Sequence, residues 1–519
     1  MTARVSELSD PGLLAIPRRR HIGQTREDLL AHLMNHVDDD GGIHEKCGSR
    51  VLESALMLTL LHRENLFPDV RRGLAGYLRR ASLIRDAAPF DRMLAPAALG
   101  RPTVLPFNEA LAWLDEYDHF TAVRKRRVFG SVLGLLGVVA PEDIPDLSAV
   151  RYRGMAPWVE LCLCALKVIN AYGRGTPHQV SDEDRVFLFD RLADNLAAGC
   201  HLTSYLLALY ACGLLRSGSS VVRDGAAQLV QLRSADGGMP FVPEMEIFCT
   251  ATAGLALVRA GAPRALMTRM ADFLVALQSA DGGWAFTATS RQSDVDDTAY
   301  CVEFLREFEP VRYAVSIRAA QDFLVSLVNA DGGFPTFQRG HQSEVTMTAG
   351  AVIALAPRWD RYGAVIGPAL DYLLDAQRED GAFERSWSLS EADAMFRAAH
   401  AAQAIPPGRL DQRLQDRISL AATRSVGYLE RTHNSDGGWG QRAGDASDVL
   451  STSYSVLTAA CWGRHQLGAK GLQYLMDVQE PGGGFTSIPD QCAPRPLPYD
   501  FPVLADVYAL MALGVTGGA

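Results

Sequence analysis

Lysine is nearly absent from this 519-residue chain: of fifty basic residues, 46 are arginine and four are lysine (Lys46, Lys125, Lys167 and Lys470). Sixty acidic residues leave a net charge of -10, which excludes the basic footprint of a nucleic-acid binder. The nine cysteines are odd in number and form no Cys-x-x-Cys pair, so neither a disulfide scaffold nor a zinc knuckle is indicated. No apolar run approaches the ~20 residues that span a bilayer, and the leading residues lack a charged start followed by an apolar stretch. A soluble, cytoplasmic protein without stable membrane insertion is expected. Strand-type alternation is sparse as well.

What the chain has instead is self-similarity. Six turns share one pattern: RSADGGMPF around Asp236, QSADGGWAF around Asp281, VNADGGFPTF around Asp331, QREDGAFERSW around Asp380, NSDGGWG around Asp436, and VQEPGGGF ending at Phe485. A further VDDDGGI near Asp40 stands alone. From Asp236 the aspartates are 45, 50, 49 and 56 residues apart, room for one helical hairpin per unit. Leu266, Met270, Phe273, Leu274 and Leu277 recur at helical spacing before Asp281, as do Ile317, Ala320, Leu324 and Leu327 before Asp331. Glycine after the aspartate ends each helix in the left-handed conformation. The reading is an all-α protein of stacked hairpins. Its first domain covers residues 20–250 and its second 251–519, with residues 1–19 packing on the second.

One turn is followed by SRQSDVDDTAY, residues 290–300. A helix beginning near Ser293 puts Asp294 and Asp297 on one face, with Asp296 offset. Helix capping accounts for one such aspartate but not for three. A metal site is a second reading, although carboxylates that share an ion usually recur at i and i+4. The third is a Brønsted acid: crowded carboxyls cannot all ionise, and burial strengthens that effect.

Asp294-Val295-Asp296-Asp297 resembles the Asp-x-Asp-Asp motif of class II, protonation-initiated terpene cyclases, and QSADGGW (Gln278 to Trp284) resembles their Gln-Trp repeats. The resemblance implies two α/α-barrel domains, called β and γ, with the acid motif in the β domain and the active site at the interface. It assigns proton delivery to Asp296, kept neutral beside ionised Asp294 and Asp297. The implied substrate is a linear prenyl diphosphate, farnesyl or geranylgeranyl, cyclised to a decalin-type diphosphate by a monomer or homodimer. A cation formed there needs a dry cavity lined by aromatic faces. The candidates are Trp284, Phe286, Tyr300, Phe334, Phe337, Trp387, Trp439 and Tyr499, of which Trp284, Phe334 and Trp439 sit where aromatics pack turns. Arg339 and His341, in the QRGHQSE loop, are further candidate substrate contacts.

The chain lacks the Asp-Asp-x-x-Asp motif that ionises a diphosphate, so the diphosphate is expected to survive. Related enzymes hold it with basic residues and Mg2+ near a γ-domain acidic motif. The nearest analogue is DEYDHF, with Glu116 and Asp118 as candidate ligands, followed by RKRR (Arg124 to Arg127); a solvated charged face is the other explanation. The other functional readings are a squalene-hopene-like triterpene cyclase, a carboxylate-pair glycosidase and a non-catalytic helical-repeat binding protein.

Overall fold

A computed structural model describes residues 21–84, 87–117, 119–193 and 201–515. Residues 1–19 and Asp118 lie outside the described residues. Helix α1 (Ile22–Met34) is followed by the Asp40 turn and by strand β1 (Ser49–Arg50). Nine helices come next: α2 (Val51–Arg63), α3 (Pro68–Ala81), α4 (Pro89–Ala98), α5 (Phe107–Ala110), α6 (Ala122–Leu135), α7 (Pro157–Gly173), α8 (Asp182–Ala193), α9 (Leu202–Leu215) and α10 (Ser220–Val230). They surround one hydrophobic core that includes Leu56, Phe129, Leu166 and Leu207. Strand β2 (Met239–Pro240) then pairs antiparallel with β1, Arg50 opposite Met239, so the chain leaves and re-enters the other domain side by side.

That other domain is a closed ring. Its inner helices are α11 (Glu246–Ala260), α13 (Val295–Phe308), α15 (Val345–Leu355), α17 (Glu391–Gln403), α19 (Val449–Cys461) and α21 (Val503–Gly514). Each packs on the next and α21 packs on α11. The outer helices are α12 (Arg264–Ala276), α14 (Ala314–Leu327), α16 (Trp359–Ala376), α18 (Gln412–Thr432), α20 (His465–Val478) and α1, which docks on α21. Inner helix α15 is enclosed on both faces and every one of its residues is buried, as an all-round apolar helix requires.

The repeat turns fix this geometry. Asp281 accepts the N–H of Gly283 at 3.0 Å, and Gln278 donates to Gly282 O (2.7 Å) and to Ser316 O of the next outer helix (2.9 Å). Gly282 has φ +90°, and a Cβ there would lie 2.6 Å from the Ala319 carbonyl oxygen, so only glycine fits. Trp284 is fully buried and donates its indole N–H to Leu274 O at 2.7 Å.

Two boundaries differ from the sequence reading. The Asp40 turn belongs to the ring: a Cβ on Gly41 would meet Arg269 O, and Leu29, Leu33 and Ile43 share the ring's core. The Asp236 turn instead abuts Gly73 of α3 in the other domain. The γ-type domain therefore runs from about Val51 to Pro240, and the β-type ring takes the residues on both sides of it. Equal spacing could not show this, because an insertion between two turns leaves each turn's local pattern intact.

Candidate active site

Asp294 is the N-cap of α13 and its Oδ1 accepts the Asp297 backbone N–H at 2.8 Å. Its own N–H bonds Trp284 O at 2.9 Å. The same place in neighbouring repeats is taken by Glu344, whose N–H bonds Phe334 O, and by Asp448, which caps α19. Capping thus accounts for Asp294, and Asp297 has a counterpart in Asp393 of α17, whereas Asp296 is particular to α13.

Asp294 and Asp297 are buried; Asp296 is half-buried, and its open face lines a cavity. Burial raises the Asp294 and Asp297 carboxyls, Asp297 furthest; Asp294 pushes Asp297 up further, whereas hydrogen bonding to Asp297 holds Asp294 down. One proton therefore stays within that pair, which corrects the expectation of two ionised neighbours. Asp296 is raised to about 6 by burial, held down by the Arg397 guanidinium and pushed up by Glu344. None of the influences on it is a hydrogen bond, so its carboxyl is free to face a ligand. Arg397 is buried on α17, donates to Glu303 at 3.2 Å and stacks on Tyr300.

The cavity lies between the two domains, with His201 contributed from one side and Phe286, Asp296 and Trp387 from the other. Apart from the acid cluster its walls are mostly apolar and aromatic, including Phe241, Phe248, Phe286, Phe337, Trp387 and Tyr499. Ring contacts cross the interface from Trp158 to Phe337 at 4.5 Å and from His201 to Phe241 at 4.6 Å, and Phe241 lies 5.1 Å from Tyr499 within the β-type ring. His201 also lines the cavity, and burial lowers it to about 3, so it stays neutral.

Trp387 is fixed from behind. Its indole donates to Thr336 Oγ1 at 3.1 Å, and Thr336 donates to Glu344 at 2.6 Å. Glu344 also accepts from Arg495 at 2.5 Å, and Arg495 lies 4.5 Å from the Trp387 ring centroid. Arg495 comes from the irregular segment before α21, which also supplies Gln491, Ala493 and Tyr499 to the wall.

Of the sequence candidates, Asp294, Asp296, Asp297, Phe337 and Trp387 converge on the cavity, as do Phe286 and Tyr499. Four do not. Trp284 is consumed by its turn. Tyr300 sits under Arg397 and bonds Tyr508 at 2.9 Å, buried behind the acid rather than facing the cavity. Arg339 and His341 are exposed on their loop, because the turn that carries them points outward. Glu116 is exposed and paired with Arg442 at 3.1 Å. The sequence reading missed Phe241, which ends the RSADGGMPF turn, Phe248 and His201, which lie outside any turn motif, and Arg397, which no local pattern marks.

A carboxylic acid opening into an aromatic cavity on a helical toroid defines a protonation-initiated cyclase of class II. Comparisons agree. Residues 208–338 and 300–493 match the prenyltransferase alpha-alpha toroid domain. A drimenyl diphosphate synthase of Streptomyces showdoensis is 40% identical, covering 94% of this chain and 93% of that protein. One of Streptantibioticus cattleyicolor is 40% identical over 98% and 97%. The ent-copalyl diphosphate synthase from Streptomyces platensis has the same fold (TM-score 0.60, 18% identity, 95% of this chain and 99% of that one). The chain belongs to the class II terpene cyclases. No helix among the described residues is long and apolar enough to cross a membrane.

Proposed function

We propose that the protein cyclises farnesyl diphosphate to a bicyclic, drimenyl-type diphosphate, with Asp296 as the general acid. The carrying observation is the half-buried Asp296 carboxyl, which faces an aromatic cavity. Its proton passes to the terminal alkene, whose π electrons form the new C–H bond. The tertiary cation is attacked by the next alkenes in turn, and loss of a proton ends the reaction. The diphosphate C–O bond is untouched, so the product is an isomer of the substrate. Aromatic faces stabilise the cation without attacking it, each by about 0.5–2 kcal/mol. The drimenyl diphosphate synthases at 40% identity support the fifteen-carbon substrate.

Arg124 and Lys125 on α6 are the proposed diphosphate contacts. Neither has a carboxylate partner among the described residues. Burial, Arg495 and Arg124 push Lys125 down to about 7, so an anion there would be bound strongly. Magnesium is proposed to arrive as counter-ion of the substrate's diphosphate. Glu116, already paired with Arg442, does not make the oxygen cage a resident ion needs, and no step is routed through one.

Incubation with farnesyl and geranylgeranyl diphosphate, dephosphorylation and mass spectrometry test this. A bicyclic sesquiterpene alcohol is expected; a bicyclic product from geranylgeranyl diphosphate alone would overturn the chain length, and linear prenols from both would overturn the activity.

A further inference from the structure

The last repeat breaks the pattern of the others at two positions that meet in space. In the four other ring repeats that carry a glycine pair, the N–H after it is accepted by a threonine of the inner helix: Ile43 by Thr250, Trp284 by Thr298, Phe334 by Thr348 (each 2.9 Å) and Trp439 by Thr452 (3.0 Å). In the last, Phe485 N–H goes to Asp506 Oδ1 at 2.7 Å. A hydroxyl suffices for that bond, so the carboxylate brings a second oxygen the turn does not use. At the second glycine, Gly283 packs on Phe323 and Gly333 on Tyr372, whereas Gly484 packs on the imidazole of His32, whose Nε2 would lie 2.6 Å from a Cβ.

The spare Oδ2 of Asp506 faces His32 Nε2 at 3.4 Å, and His36, in the turn that follows α1, brings its Nε2 to 3.3 Å from the same nitrogen. All three donor atoms lie within 4.8 Å of one another. Two ligands about 2.0–2.1 Å from a tetrahedral zinc ion are about 3.3 Å apart. We propose that His32, His36 and Asp506 form a binding site for Zn2+ or a similar transition-metal dication, fastening α1 to α21 where the ring closes.

Imidazole nitrogen with one carboxylate suits such ions and not magnesium. Phe485 N–H, bonded to the other oxygen of Asp506, orients the ligand from behind as metal carboxylates require. His36 is half-buried, leaving the fourth position to water.

The full chain, stripped with a chelator and dialysed, is titrated with Zn2+ and with Co2+. One ion per chain, a rise in the thermal midpoint and the intense visible absorption of four-coordinate Co2+ are expected. His36→Gln, on the half-buried edge, is expected to weaken binding by more than about tenfold and to lose the midpoint rise while keeping cyclase turnover. Asp506→Asn, which still accepts from Phe485, is expected to do the same to the metal. Absence of stoichiometric binding, or binding of equal strength in the wild type and His36→Gln, overturns the site.

Discussion

The Arg397 guanidinium lies 4.2 Å from the centroid of the Tyr300 ring, one helical turn along α13 from Asp296. A buried cation held against that ring lowers the acid's proton affinity, while burial and Glu344 raise it. The balance leaves Asp296 near 6, so its carboxyl stays protonated in part of the population at neutral pH.

Turnover should therefore fall as pH rises through about 6, since only the protonated acid reacts. Arg397→Gln removes the lowering charge and should move that limb to higher pH; Glu344→Gln removes a raising charge and should move it lower. pH profiles of kcat/KM check both directions.

Asp296→Asn should cut turnover by at least 10²–10⁴ with little change in thermal midpoint, because no hydrogen bond enters the shifts of its carboxyl. Product yield and thermal melts measure the two effects. Wild-type turnover would remove Asp296 from its role.

Trp387 and Trp284 should separate function from folding. Trp387→Leu removes a cavity face and should lower kcat by about 2–30-fold, the equivalent of ~0.5–2 kcal/mol. Trp284→Ala should cost about 3–5 kcal/mol of stability and leave kcat of the folded fraction unchanged. Denaturant titrations beside steady-state kinetics distinguish them.

Arg495→Met leaves Glu344 buried and unpaired, with an expected cost of about 3–5 kcal/mol. The double variant with Glu344→Gln should cost less than the sum of the two singles, as read by chemical denaturation.

Lys125 should tune substrate affinity. With its ammonium near 7, KM for the diphosphate should rise as pH climbs past 7, and Lys125→Met should flatten that rise.

Much of this was legible in the residues. The Asp-Gly-Gly turns are local, so Gly282 and Trp284 announced themselves, and the aspartate cluster of α13 lies next to one of them. The reading failed where long-range register decides. The Asp40 turn looked solitary because its ring neighbour α11 is about two hundred residues away. Tyr300 follows the motif at i+4 from Asp296, and only the packing of α17 turns it from cavity wall to support for Arg397. Arg495 and Tyr499 reach the site from an irregular segment with no period to read. The RKRR run divides by face: Arg126 pairs with Asp115 at 2.6 Å, whereas Lys125 turns inward.

The placement of α1 beside α21 governs the order of assembly. Residues 51–240 hold a contiguous core and can collect themselves while synthesis continues, but the toroid is missing a stave until almost the last helix has left the ribosome. The acid on α13 is thus made early and enclosed late, once α1 has docked on α21.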